Sequence, residues 1–174
     1  MEKNRMEIRE RAGEYATENM SCGMNCAESV LAALIRSGAL DVPPETVAYA
    51  TGFGSGGGGA GLICGALASA ILANNIAHGR KDPAASEDRA ELKKNHYKRG
   101  NNIVNDFVKE SGSGLCREII NQFDGGYHDE ATRPNCIRIC GAAARIAVDY
   151  LCKDDEEVMR LEYNPSVVGI NSWL

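Results

Sequence analysis

The stretch "SGGGGAGLICGALASAILANNIAH" (residues 55–78) sets a glycine run against an apolar one. Four consecutive glycines, 56–59, are poor helix formers and mark a turn. From residue 63 to 77 the pattern changes. Leu67, Ile71, Leu72 and Ile76 fall on one stripe at helical spacing, which predicts the most apolar helix of the chain. Cys64 stands at the boundary. The segment reads as a tight glycine turn that delivers a cysteine to the tip of a helix.

The same grammar extends outward. Residues 4–20 form a charged amphipathic helix. "CAESVLAALIRS" (26–37) places Ala27, Val30, Leu31, Leu34 and Ile35 at helical spacing. "DVPPET" (41–46) starts a short helix, because proline suits a first turn. "HGRKDPAAS" (78–86) breaks the chain. Residues 87–110 predict a long helix with Leu92, His96, Ile103 and Phe107 on one face. "SGSG" (111–114) ends it, 115–122 is a short helix, and "DGGYHDEATRPN" (124–135) is a loop. A final strong helix covers 136–152. Strand signals are weak throughout. The expected fold is all-α: a compact multi-helix bundle with Gly-rich interhelical loops. We expect one domain, residues 1–152, and an irregular C-terminal tail, 153–174, packed on the body or on a partner subunit.

Composition narrows the function. The chain has 174 residues, 44% hydrophobic and 25% charged, as a globular protein should. A net charge of −5 argues against nucleic acid or an anionic membrane surface as the main partner. The N-terminus is charged and lacks the apolar core of a signal peptide, and no apolar run reaches the length of a membrane span. The expected compartment is the cytoplasm. Aromatic residues are only 6%, while Ala and Gly abound, which favours closely approaching helices. Those small faces and the long tail suit a homodimer.

Seven cysteines in a reducing compartment leave three readings: metal, redox chemistry or packing. Four of them fall near predicted helix starts. Asn25 caps the helix that Cys26 opens, with Glu28 completing a capping box. Cys64 follows the glycine turn. Ser113 caps a turn holding Cys116, and Thr132 with Pro134 starts the helix near Cys136. Helix N-termini favour anions, so the expected effect is a lowered thiol pKa. A thiolate is both the nucleophile of disulfide exchange and the ligand form for metals. The rival is that free cysteine is a small, commonly buried hydrophobe, and no CxxC pair is present.

Cys22 and Cys140 lie four residues from Cys26 and Cys136. For Cys136 and Cys140 on one helix that spacing is poor for a disulfide but tolerable for two ligands of one ion, while Gly23 sets Cys22 before its helix with freer geometry; both are candidate auxiliary ligands. Cys152, at a helix end, reads as structural. Of the histidines, His96 reads as half-buried, and His78 and His128 as solvated in loops. "GFGSGG" (52–57) fits GxGxxG formally, but it follows a helix and lacks an acidic ribose partner, so nucleotide binding is not expected. "KDDEE" (153–157) reads as a solvated helix start.

These residues resemble a bacterial and archaeal family described as redox-active and named for its cysteine pattern C, GCAxxG, C, C. The resemblance rests on "NCAESV", "GFGSGGGGAGLICGALAS", "LCREII" and "NCIRICGAAA", and covers roughly residues 10–152. Ser69 stands where the pattern's last glycine would be, and Cys22 and Cys140 lie outside it. The resemblance implies a redox or cysteine-ligated centre of Cys26, Cys64, Cys116 and Cys136. They would act as redox thiols, or as ligands of an iron–sulfur cluster such as [2Fe–2S] or of zinc, with an unidentified redox partner. Covalent haem is not expected, since C-x-x-C-H is absent. The competing classes are a zinc-type metal-binding module for structure or trafficking, and a helical interaction protein with packed cysteines.

Overall fold

The computed structural model describes residues 2–84 and 92–163. Within them the chain is all-α, with no strand or sheet among the described residues. No helix there is long and apolar enough to cross a membrane.

Local sequence sets most of the helix ends. Helix α1 spans Glu2–Ser21 and α2 spans Cys26–Arg36. Asn25 caps α2 as its sequence predicts. Its side-chain oxygen accepts from the N–H groups of Ala27 (2.9 Å) and Glu28 (3.0 Å), and the Glu28 carboxylate accepts from the Asn25 N–H (3.1 Å). The prolines at 43 and 44 lead into a 3₁₀ helix, Pro44–Phe53, in place of an α-helical turn. After the glycine turn, α3 covers Gly65–His78.

The expected helix over 87–110 is composite. Residues 87–91 lie outside the described chain; a π-helical turn, Leu92–Tyr97, feeds α4, Lys98–Ser111. Gly112 ends α4 in the left-handed conformation (φ 81°), where glycine carries no Cβ penalty. Helix α5 is short, Cys116–Ile120. A 3₁₀ turn at Gly126–His128 precedes α6, Thr132–Leu151. Helix α6 starts four residues before its expected position, because Pro134 fits within the first turn. Asp154 caps a last helix, α7, Asp155–Met159, so the start of the tail is helical; residues 164–174 lie outside the described chain.

Helix α6 is the axis of the bundle, packed by α1, α2, α3 and α4. Its buried face is small: Ile139, Cys140, Ala143, Ala144, Ala147 and Val148. The neighbours answer with Ala12 and Ala16 from α1, Ala27, Val30, Leu31 and Leu34 from α2, and Ala70 and Ala73 from α3. Alanine buries little apolar area, so stability here depends on helices approaching closely enough for dense contact. Ile103 and Phe107 of α4 supply the bulk on the remaining side. Ser69, where the family pattern has glycine, is fully buried and donates to the Ala27 carbonyl at 2.8 Å. A hydroxyl thus fits the α2–α3 contact and is satisfied there.

Polar groups fasten the far end of α6. The Arg99 guanidinium, buried on α4, donates to the carbonyls of Tyr150 and Lys153 (3.1 Å) and to Asp155 (3.2 Å). It adds a side-chain donor to carbonyls at the helix end, where regular intrahelical bonding runs out. Burial lowers its pKa, opposed by Asp155 and its acidic neighbours. The Tyr150 hydroxyl donates to Asp106 at 2.7 Å. His78 is not solvated in a loop: it closes α3, and its ring N–H donates to the Leu151 carbonyl (3.0 Å). His96 is half-buried and His128 exposed, as their positions suggested.

Replacing Arg99 by Met keeps the buried stem and removes the side-chain donor to the carbonyls of Tyr150 and Lys153. The expected loss is about 1–3 kcal/mol of stability, read as a lower urea midpoint with an unchanged slope. A midpoint equal to wild type would show that these contacts contribute nothing.

Candidate functional site

The glycine turn is built almost wholly from left-handed backbone. Ser55 (φ 51°) and Gly56, Gly57, Gly58, Gly59 and Gly61 (φ 63–89°) all lie there, a region costly for other residues. The turn folds onto itself, with the Leu62 N–H donating to the Gly56 carbonyl at 3.0 Å. It then pairs with a distant segment. The Cys64 N–H donates to the Gly114 carbonyl (2.8 Å), the Cys116 N–H to Leu62 (2.6 Å), and the Arg117 N–H to Gly61 (3.0 Å). This isolated antiparallel bridge, Ile63 against Leu115, sets Cys64 and Cys116 side by side. The Cys64 amide is therefore engaged in backbone pairing. Gly56 sits under the bridge: an added Cβ would lie 2.8 Å from the Cys116 Cβ.

Each cysteine's position follows from its local chain. Cys26 is the first residue of α2. Cys64 is the N-cap of α3, and Cys116 opens α5. Cys136 is not in a first turn. The helix begins at Thr132, whose hydroxyl donates to the Gly126 carbonyl (2.5 Å) instead of capping, so Cys136 lies in the second turn. Ser113 likewise does not cap α5. It accepts from the Leu115 N–H (3.0 Å) and donates to the Glu118 carboxylate (2.5 Å), steadying the bridge.

Cys26, Cys64, Cys116 and Cys136 line one cavity of about 250 Å³, and Cys140 lines it with them. The space is enough for several waters or a small inorganic group. Cys26 lies within electrostatic range of each of the other four. The Cys140 thiol, fully buried, donates to the Cys26 carbonyl at 3.8 Å. Cys22 and Cys152 are exposed and do not line the cavity. Met20, Ile119 and Ile139 give apolar wall, and Met24 and Tyr127, 42% and 64% exposed, stand at its mouth. Among the described residues, no histidine or carboxylate lines it, and Arg133 is the one charged lining residue; it donates to the Met20 carbonyl at 3.3 Å. Among the described residues, no three His, Cys, Asp or Glu side chains sit close enough to hold a single ion.

Burial overrides the helix-tip effect on the thiols. The Cys64 pKa is pushed up to about 12 by burial and by neighbouring Cys26, against the pull of the Leu67 and Ala66 amides. Cys136 rises to about 11 by burial and by Cys26 and Cys116, with Arg133 pulling back. Cys116 rises through burial and Cys26, and Cys140 rises strongly through burial and three neighbouring sulfurs. The expectation of lowered pKa values is corrected: desolvation of an anion outweighs the amides at a helix tip. These thiols stay protonated near neutral pH until something in the cavity replaces their protons.

Five cysteines of this all-α bundle thus line one cavity, which is its candidate centre. A family model described as "Putative redox-active protein (C_GCAxxG_C_C)" matches residues 24–150, and the chain belongs to that family. No curated protein and no solved structure matches the chain.

Sequence reasoning missed Arg133 and Tyr127. The signal for Arg133 was present: it stands three residues before Cys136, on the same helical face. Tyr127 carries no such signal, because a loop brings it to the mouth.

Two outcomes test this site. An added Cβ at Gly65 would lie 2.6 Å from the Cys26 sulfur and 2.7 Å from the Phe53 carbonyl. Gly65→Ala is expected to cost about 1–3 kcal/mol and to raise the reaction rate of the Cys26 thiol with a maleimide. Unchanged stability and reactivity would refute the close fit.

The second outcome concerns pH. Thiols whose pKa is raised on folding bind more protons in the folded state than in the unfolded one. Their stabilisation is full below the unfolded value of about 8.5 and declines as pH rises. The window extends toward the folded values of about 11 for Cys136 and about 12 for Cys64. The urea midpoint of the ligand-free chain should fall from pH of about 7.5 to about 10, and fall less in Cys64→Ala. Equal pH slopes for the two proteins would count against a raised Cys64 pKa.

Proposed function

We infer that this chain is a cysteine-based redox or electron-transfer protein whose centre is built on Cys26, Cys64, Cys116 and Cys136. The observation that carries this reading is that four thiols, each from a different helix, line one buried cavity. Thiolate donors without imidazole or carboxylate suit soft centres, iron–sulfur clusters among them.

The donor set and cavity fit a small cluster such as [2Fe–2S] better than a single zinc ion. Zinc asks four ligands to converge on one point at about 2.3 Å for sulfur. A [2Fe–2S] cluster instead spreads four thiolates over two irons. When bound, such a cluster supplies one-electron transfer. The chain's own residues do the rest. The thiols release their protons as they become ligands. Ile119, Ile139 and Met20 exclude water, which preserves the electrostatic influence of fixed charges. The bare Gly65 leaves room for the Cys26 sulfur. Arg133 holds a positive charge at the mouth, the sign that favours an anionic centre. A dithiol–disulfide cycle is less well supported for Cys64 and Cys136, because their raised pKa values leave little thiolate to attack.

Purification without oxygen tests the reading. The expected protein is coloured, contains iron and acid-labile sulfide in equal amounts, and is bleached by dithionite. Cys26→Ala should be colourless. Zinc without sulfide would replace the cluster by a metal-binding module. Metal-free protein with buried, unreactive thiols would leave only packed cysteines.

A further inference from the structure

We propose that Cys140 is a fifth sulfur donor of the cavity, a reserve ligand able to take the place of Cys136. The inference rests on the cluster reading above and goes beyond the four-cysteine pattern, which does not include this residue.

Three observations place Cys140 with the centre. It lines the same cavity as the other four cysteines. It stands one turn beyond Cys136 on the same helix, so the two sulfurs share a face. Its thiol has electrostatic range to Cys26, Cys64 and Cys136, and its one hydrogen bond is the long one to the Cys26 carbonyl, 3.8 Å. The next inward positions of α6 are methyl groups: Ala143, Ala144 and Ala147. An alanine at 140 would continue that face; the chain carries a sulfur where the face meets the cavity.

Exposure separates the roles. Cys136 is half-buried and lies near Arg133 at the mouth, whereas Cys140 is fully buried. The outer ligand is the one more open to displacement. Were Cys136 displaced, its iron–sulfur bond would break and its sulfur would take up a proton, while the Cys140 thiol would give its proton to water and make the replacement bond. The exchange moves one proton and one ligand, and no electron.

The test compares wild type, Cys136→Ala, Cys140→Ala and the double variant, each reconstituted without oxygen with ferrous iron and sulfide. Cys140→Val is run in parallel, because it fills the volume that alanine leaves empty. Iron and sulfide per chain, the visible spectrum and far-ultraviolet circular dichroism are measured. Cys136→Ala should keep most of its iron and sulfide with shifted visible bands. Cys140→Ala and Cys140→Val should match wild type in content. The double variant should lose nearly all of it while retaining its helices. A Cys136→Ala protein as empty as the double variant would overturn the proposal and leave the four-cysteine centre standing. So would a double variant that loads fully, or a Cys140 variant that stays folded and empty. Wild type that takes up neither iron nor sulfide would overturn both readings.

Discussion

The short antiparallel bridge between the glycine turn and the segment before α5 is the constraint on which the site depends. Its amides at Cys64 and Cys116 are bonded across to Gly114 and Leu62. Two cysteines about fifty residues apart in sequence are thereby fixed side by side by main-chain geometry alone. Main-chain pairing of this kind leaves little freedom in where the two side chains begin. The glycines make the pairing feasible, since a turn this tight runs through left-handed backbone at nearly every residue. The helices behind it then carry Cys26 and Cys136 to the same space.

Small side chains link this constraint to the core. The bundle gains its density from alanines on α1, α2, α3 and α6, which lets the helix that carries Cys136 pack directly against the one that carries Cys26. The same economy shapes the site. Gly65 and Gly56 are bare where sulfur and backbone press closest, and Ser69 closes the α2–α3 contact with one hydrogen bond. Larger residues would push the cysteine-bearing elements apart before they reached the cavity. Packing and chemistry are therefore one requirement here.

Electrostatics follows from the packing. Burying Cys64, Cys116, Cys136 and Cys140 around one cavity raises the cost of ionising them, through lost hydration and through repulsion by neighbouring sulfurs. That cost is offset when a cationic centre takes the place of the protons, which couples loading to proton release.

The primary sequence by itself determined most of the helices, the cap at Asn25, the glycine turn and the four-cysteine pattern. Those features depend on residues within a few positions of one another, where spacing and capping chemistry act directly. Other features were out of its reach. Thr132 looked like a cap, yet Asp129, whose side chain accepts from the Ala131 and Gly125 N–H groups, organises that turn, and α6 begins earlier. His78 looked solvated, yet the end of α6 supplies its partner. Helix starts suggested reactive thiols, while burial raised the pKa values of Cys64, Cys116 and Cys136. Cys22 and Cys140 had equal standing by their four-residue spacing, and only packing could divide them. One faces solvent before α2, and the other faces the cavity from the middle of α6. The tertiary structure decided these matters because burial and long-range backbone pairing are properties of segments far apart in the chain, which no local pattern records.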